Sequence, residues 1–174
     1  MRFVGLTVLV GAAFAVALTL PATASSLSTQ DQPTLEAAVV KRINRIRTNH
    51  GRRRLRVIPR LTNAATSHTA VMAKHGYCDH DWWDGTPMST WIKWFYPGPG
   101  YSSWSAGENL YWSTFAPSAR TVVRWWMGSR PHRANILGRW RHIGVSALRI
   151  RDPIGSFSAY RAITIVAVEF GRRS

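Results

Sequence analysis

Leu35, Val39, Ile43 and Ile46 recur every three or four positions, the spacing that lines one face of a helix. Thr34 can cap the start of this run and Gly51 lies just past its end, so the pattern predicts a first helix over about 35–49. A second follows Pro59, with Leu61, Ala65, His68, Met72 and His75 on one apolar face; proline suits the first helical position. Between Asp81 and Phe115 the periodicity dissolves: Thr86-Pro87 marks a short helix start and Pro97-Gly98-Pro99-Gly100 a loop. Pro117 opens another helix through Val122, Val123 and Trp126, ending near Gly128. After that the period shortens. Residues 143–150 and 162–170 are rich in Ile, Val and Ala with partial alternation, and Asp152-Pro153-x-Gly155 between them supplies turn residues, which predicts a terminal antiparallel hairpin. Helices first and strands last read as an α+β fold, and there is no internal repeat.

The N-terminus follows a different logic. Arg2, an apolar stretch from Phe3 to Leu20 and then Ala22-Thr23-Ala24 form the charge, apolar core and small-residue cleavage site of a secretory signal peptide. The expected organisation is a signal peptide over 1–24, a flexible polar leader over 25–34 and one domain over 35–174. The protein is expected to be secreted and extracellular; an N-terminal membrane anchor is the alternative, because the apolar stretch is near the ~20 residues that span a bilayer.

Cleavage after Ala24 leaves 22 Lys and Arg against 8 Asp and Glu, a net charge of +14, and arginine supplies 20 of the 23 basic residues of the full chain. Such a field favours anionic partners such as acidic lipid, wall polymers or nucleic acid. The densest basic run is Arg52-Arg53-Arg54 with Arg56 and Arg60, in a connecting segment. There is no zinc-finger spacing, ribonucleoprotein motif or recognition-helix pattern, so a specific nucleic-acid module is not expected. The chain is expected to act as a monomer. Cys78 is the only cysteine, which excludes an intramolecular disulfide and leaves stability to packing; the residue type is most often a buried small hydrophobe. Eleven of the 20 aromatic residues fall between positions 81 and 115, and rings beside a polar cleft can wall a site for a flat or acyl ligand.

Two runs carry the strongest motif signal: Gly107-Glu108-Asn109, and downstream Trp126-Met127-Gly128-Ser129 leading into His132-Arg133-Ala134-Asn135-Ile136-Leu137. Together with Asn44-x-x-Arg47, Leu61-x-x-Ala64-Ala65-x-x-His68, Cys78-Asp79-His80, His142-Ile143-Gly144-Val145 and Val168-Glu169-Phe170-Gly171, the chain resembles the CAP superfamily over about residues 35–171. This is the SCP domain of cysteine-rich secretory proteins, antigen 5 and pathogenesis-related proteins. The cysteine-poor sequence is similar to the bacterial, secreted branch.

The resemblance implies a three-layer α-β-α sandwich. It also implies a cleft where two histidines and two acidic residues meet and can hold a divalent metal. The matching positions are His80, Glu108 and His132; where relatives carry the second acid this chain has Ser129, and Asp79, Asp81 or Asp84 can substitute. Asn44 and Arg47 are implied as hydrogen-bonders tying the first helix to the sheet, and His68, Gly107, Asn109, Trp126, Ser129 and Asn135 as structural residues. Gly107 is expected to take a backbone conformation that other residues resist.

Two imidazoles and a carboxylate suit Zn²⁺ with an open position, and equally general acid–base chemistry near neutral pH. The leading functional expectation is a cleft that binds an apolar or anionic envelope ligand, with a divalent metal as a possible companion. The alternative is a metal-dependent or acid–base hydrolase of peptide, cell-wall or RNA bonds, with His80, Glu108 and His132 as its candidate catalytic groups.

Overall fold

The computed structural model describes residues 28–174, and the expected signal peptide over 1–24 lies outside the described residues. In chain order the elements are β1 (Ser28–Asp31), α1 (Pro33–Asn49), β2 (Arg56–Val57), α2 (Pro59–His75), α3 (Met88–Trp91), β3 (Trp104–Ser113), α4 (Ala119–Gly128), α5 (Arg130–Leu137), β4 (His142–Arg151) and β5 (Ala162–Arg173). The five strands form one sheet in the order β1-β4-β5-β3, with β2 added in parallel beside β4.

Strand alternation builds the layers. On β5, Val166, Val168 and Phe170 face one way and pack with Ile143, Val145 and Ala147 of β4 against Val39 and Ile43 of α1 and Val122, Val123 and Trp126 of α4. Ile163, Ile165 and Ala167 face the other way, onto Ala65 and Met72 of α2. A third cluster, Leu61, Ala64, Trp91, Ile92 and Tyr96, extends that second face beneath α3. Each fully buried Val, Leu or Ile contributes about 1.5–3 kcal/mol of transfer free energy, so both faces need a helical cover. The result is an α+β fold with α1, α4 and α5 on one side of the sheet and α2 and α3 on the other: the expected α-β-α sandwich.

Several expectations are corrected. The polar segment before α1 is not wholly a flexible leader: Ser28–Asp31 pairs antiparallel with Leu148–Arg151 as an edge strand. Strand pairing needs backbone groups, not apolar side chains, and all four residues of β1 are exposed. Thr34 is not the cap of α1, because Pro33 occupies the first turn and Gln32 precedes it. β3 and α5 lie where the apolar spacing predicts no element. β3 interrupts its apolar positions with Ser105, Gly107, Glu108 and Asn109, and α5 is eight residues long with only Ile136 buried.

Asn44 and Arg47 reach neighbouring segments rather than the body of the sheet. The Asn44 amide exchanges two hydrogen bonds with the Leu55 backbone, at 3.1 and 2.7 Å, just before β2. Arg47, 1% exposed, donates to the carbonyls of Arg53, Ile136 and Gly138. A cation against the last carbonyls of α5 complements the negative end of that helix.

Glycine sets one close approach. A Cβ on Gly144 would lie 2.0 Å from the backbone carbon of Leu61, so α2 can rest on β4 only where β4 has no side chain. Gly144→Ala should therefore destabilise the protein by about 1–3 kcal/mol or more, read as a shifted urea midpoint. Gly128→Ala, where nothing lies within 4 Å, should be neutral or mildly stabilising by the same measurement.

Candidate functional site

Glu108 sits on β3 with its side chain on the α2 face of the sheet and is 4% exposed. Its two oxygens are held separately: Oε1 accepts from His68 Nδ1 and Oε2 from His80 Nδ1, each at 3.0 Å. A carboxylate only accepts, so both imidazoles donate through Nδ1. His68 is fully buried on α2, stacked near-parallel on Trp82 at 5.6 Å and packed against Trp91 at 4.6 Å. His80 lies in the loop after α2 with its side chain half exposed, and Trp91 Nε1 fixes the loop by donating to the His80 carbonyl at 3.0 Å.

A second carboxyl stands directly opposite. In the β3–β5 register Glu108 pairs with Glu169, which is fully buried and has no hydrogen-bond partner on either oxygen. One ligand atom from each of His68, Glu108 and Glu169 lies within 4.8 Å of the others. Burial first, and then the Glu108 charge, push the Glu169 carboxyl well above the usual carboxylate range. Burial acts on Glu108 in the same direction, but the bonds from His68 and His80 outweigh it and hold Glu108 below its ordinary value. The pair therefore divides into an ionised Glu108 and a protonated Glu169.

His132 reaches the same region from the other layer. It lies in the first turn of α5, shares a 2.7 Å hydrogen bond with Ser129 through Nδ1, and packs at 5.0 Å on Trp125. Asn109, the strand neighbour of Glu108 and hence on the opposite face, donates to the His132 carbonyl at 3.0 Å. Asn135 donates to the Glu108 carbonyl at 2.7 Å and to Asn109 Oδ1 at 3.0 Å, while Trp126 Nε1 donates to the Leu110 carbonyl at 2.8 Å. These four bonds clamp α4 and α5 onto the free edge of β3. Gly107 keeps a negative φ, contrary to expectation; what it supplies is room, since a Cβ there would meet Trp140 at 3.0 Å and Asn135 Oδ1 at 3.3 Å.

The cleft over this edge holds about 330 Å³ and is lined by Cys78, Asp79, His80, Leu110, Tyr111, Trp112, Trp125 and His132. His80 and His132 thus share a wall, whereas Glu108 stands behind His80 and does not line the cleft. Both imidazoles spend Nδ1 on the protein, and Nε2 is the ring nitrogen left without a protein partner. Hydrogen bonding to Glu108 raises the pKa of His80; burial and the neighbouring His80 lower that of His132.

Of the candidate second acids, Asp79 lines the cleft, Asp81 Oδ1 accepts from Met88 N at the start of α3, and Asp84 Oδ1 accepts from Thr86 N in a turn. The acid beside Glu108 is Glu169, whose signal was a lone carboxyl in an otherwise apolar run. His68, expected to be structural, is a direct partner of Glu108. Burial and the Glu108 and Asp79 charges push the Cys78 thiol up to about 12, which favours its protonated form.

Two outcomes follow. The His80 imidazole should titrate above an ordinary histidine by NMR and fall back toward ~6.5 in Glu108→Gln. Glu169 releases its proton readily only when unfolded, so its stabilising share is fully present below ~4.5 and is lost as pH rises toward its folded value. Glu169→Gln should accordingly raise stability at neutral and alkaline pH and change it little below ~4.5, in chemical unfolding followed across pH.

Comparison with known proteins fits this architecture. An outer surface protein of Borrelia burgdorferi superposes with a TM-score of 0.69 at 18% identity, covering 84% of this chain and 98% of that one. An extracellular protein containing an SCP domain from Bacillus anthracis gives 0.61 at 18% identity, covering 81% of this chain and 41% of its own length. A cysteine-rich secretory protein of Staphylococcus aureus gives 0.55 at 14%, over 79% and 38% respectively. At such identities the likeness is one of fold, and this chain spans about two fifths of the latter two proteins. No curated protein matches in sequence. Among the described residues no helix is long and apolar enough to cross a membrane. The sequence model of the cysteine-rich secretory protein family matches residues 40–157, more than half of the chain, and the protein belongs to that family, the CAP family.

Proposed function

We propose that this is an extracellular binding module whose cleft takes an envelope ligand with a flat or acyl apolar part, and whose two cleft imidazoles hold a divalent metal. One observation carries the reading: His80 and His132 line the same cleft between the half-exposed rings of Trp112 and Trp125, each with Nδ1 secured and Nε2 left over. A carboxylate behind a ligating histidine fixes its tautomer and raises its basicity, and Glu108 stands in that position behind His80. Two imidazole nitrogens would supply part of a Zn²⁺ coordination shell, with Glu108 as the support of a ligand rather than a ligand itself. Bound there, the metal would supply a Lewis-acid point for a polar or anionic head group. The tryptophan rings supply the apolar wall, and Ser129 and Asn109 keep His132 turned toward the cleft.

General acid–base hydrolysis is the second reading, and a separate observation favours it. His80 is pushed up and His132 down within one cleft, so His80 keeps its proton to higher pH than His132 does, the ordering that an acid–base pair requires. In this reading His80 donates to a leaving group and His132 takes the proton of the attacking group.

Zinc titration by calorimetry discriminates the two. The intact protein should bind one Zn²⁺, and His80→Ala or His132→Ala should abolish it. Glu108→Gln should weaken it by about 10–100-fold, the usual effect of losing an outer-shell partner. Trp125→Ala should weaken binding of a fluorescent acyl probe while sparing zinc. No zinc binding, together with metal-independent cleavage of peptide, wall or RNA substrates that shows a bell-shaped pH profile, would replace this reading with the second.

A further inference from the structure

A second recess is larger than the histidine cleft. A groove of about 610 Å³ lies elsewhere and shares no residue with that cleft. Eight arginines line it, and none of its residues is acidic. Arg52, Arg53, Arg54 and Arg56 come from the segment between α1 and α2, Arg141 from the turn before β4, and Arg172 from the end of β5. Sequence placed Arg60 with this run, but Arg60 lies on α2 and donates to the Phe95 carbonyl, outside the groove.

Two facts make this more than a solvated basic surface. Among the described residues the ion pairs within 4.0 Å are both histidine–Glu108 pairs; no arginine or lysine pairs with a carboxylate. Like charges converging on a concavity repel one another, more strongly as the groove walls exclude water, and no carboxylate of the fold offsets that cost. The floor is also built. Arg47 spends its guanidinium on three carbonyls, and His142 accepts from Arg56 at 3.4 Å, its pKa lowered by burial and by Arg173, Arg56 and Arg141. Among the described residues, the outer arginines at 52, 53, 54, 141 and 172 donate no side-chain hydrogen bond, which leaves their guanidinium forks for a ligand.

We infer that this groove binds a linear polyanion carrying phosphate groups along its chain and no bases. Guanidinium forks pair bidentately with phosphate oxygens, and forks arriving from three chain segments can meet the tetrahedrally spread oxygens of a phosphate from several directions. A single phosphate would leave most of the groove's charge unbalanced, whereas a polymer threads several phosphates through it. Nucleic acid is disfavoured because the two rings in the lining offer no stacking platform: Trp140 is part-buried with its Nε1 bonded to the Asn135 carbonyl, and His142 is buried. A bilayer is disfavoured because a concave site keeps its charges from a flat surface and presents no apolar wedge to insert. This inference does not rest on the proposed role of the cleft.

The test is equilibrium binding of the intact protein to poly(glycerol phosphate) and to inorganic polyphosphate, with polyglutamate, single-stranded DNA and anionic phospholipid vesicles compared at equal charge. Binding to both phosphate polymers is expected, falling steeply between about 50 and 200 mM salt. Arg52→Gln/Arg141→Gln/Arg172→Gln should weaken it roughly tenfold or more. Arg45→Gln/Arg124→Gln/Arg161→Gln, an equal charge loss on exposed positions outside the groove, should cost less than about threefold. Circular dichroism and thermal melting establish that both triples are folded. Equal losses from the two triples would return the groove to general surface charge. Tighter binding of polyglutamate, DNA or vesicles than of the phosphate polymers would overturn the ligand class in favour of that partner.

Discussion

A carboxylate buried on the central layer must be compensated where it stands, and in this protein that carboxylate is Glu108. An ionised group taken out of water costs several kcal/mol unless paired and hydrogen-bonded. Its compensation comes from two imidazoles, one on α2 and one in the loop that α2 feeds. The satisfied carboxylate thereby fixes how α2, the 78–80 loop and β3 meet. Because strand neighbours point to opposite faces, Asn109 works on the other layer, holding the His132 carbonyl while Asn135 returns a bond to the Glu108 carbonyl. Gly107 leaves the room that Trp140 and Asn135 fill. Three consecutive residues of one edge strand thus pin both helical layers, and the cleft is the seam between them.

The sequence made the periodic parts of this arrangement legible and the non-periodic parts only by resemblance. α1, α2, α4 and the β4–β5 hairpin each bury a stripe at their own period, so their apolar spacing announced them. β3 carries Ser105, Gly107, Glu108 and Asn109 where an ordinary strand would carry apolar residues, and its signal was lost among aromatic neighbours. α5 buries one residue, Ile136, and is held by side-chain hydrogen bonds that leave no period. His80 and Glu108 came together as the family resemblance implied, while His68 and Glu169 were hidden for a topological reason. Their proximity depends on the β3–β5 register and on α2 lying close over Gly144, neither of which spacing along the chain can report.

The opposition of Glu108 and Glu169 shows why the compensating groups are imidazoles. Two carboxylates facing across a ladder cannot both ionise without a large repulsion. Giving Glu108 both donors and Glu169 none settles which one keeps its proton. An arginine at either histidine position would keep its own charge across the physiological range and hold Glu108 ionised throughout it. An imidazole can release its proton near neutrality, so the charge of the cluster, and through His80 that of the cleft wall, follows the pH of the surroundings.

The arginine groove obeys the opposite rule. A guanidinium keeps its proton across the physiological range, and among the described residues none here is neutralised by a carboxylate. The groove's positive charge is therefore fixed, altered by salt alone, while the cleft's charge is adjustable through its histidines. Had the few acidic residues been spread as partners for the arginines, the fold would have gained surface ion pairs worth little individually, about 0.2–1 kcal/mol each. Two of them are instead buried beneath the cleft, where their effect on neighbouring imidazoles is strongest because water is excluded. The scarcity of carboxylates and the excess of arginine thus have one structural consequence between them: two chemically distinct recesses, one responsive to pH and one to ionic strength, on a single domain.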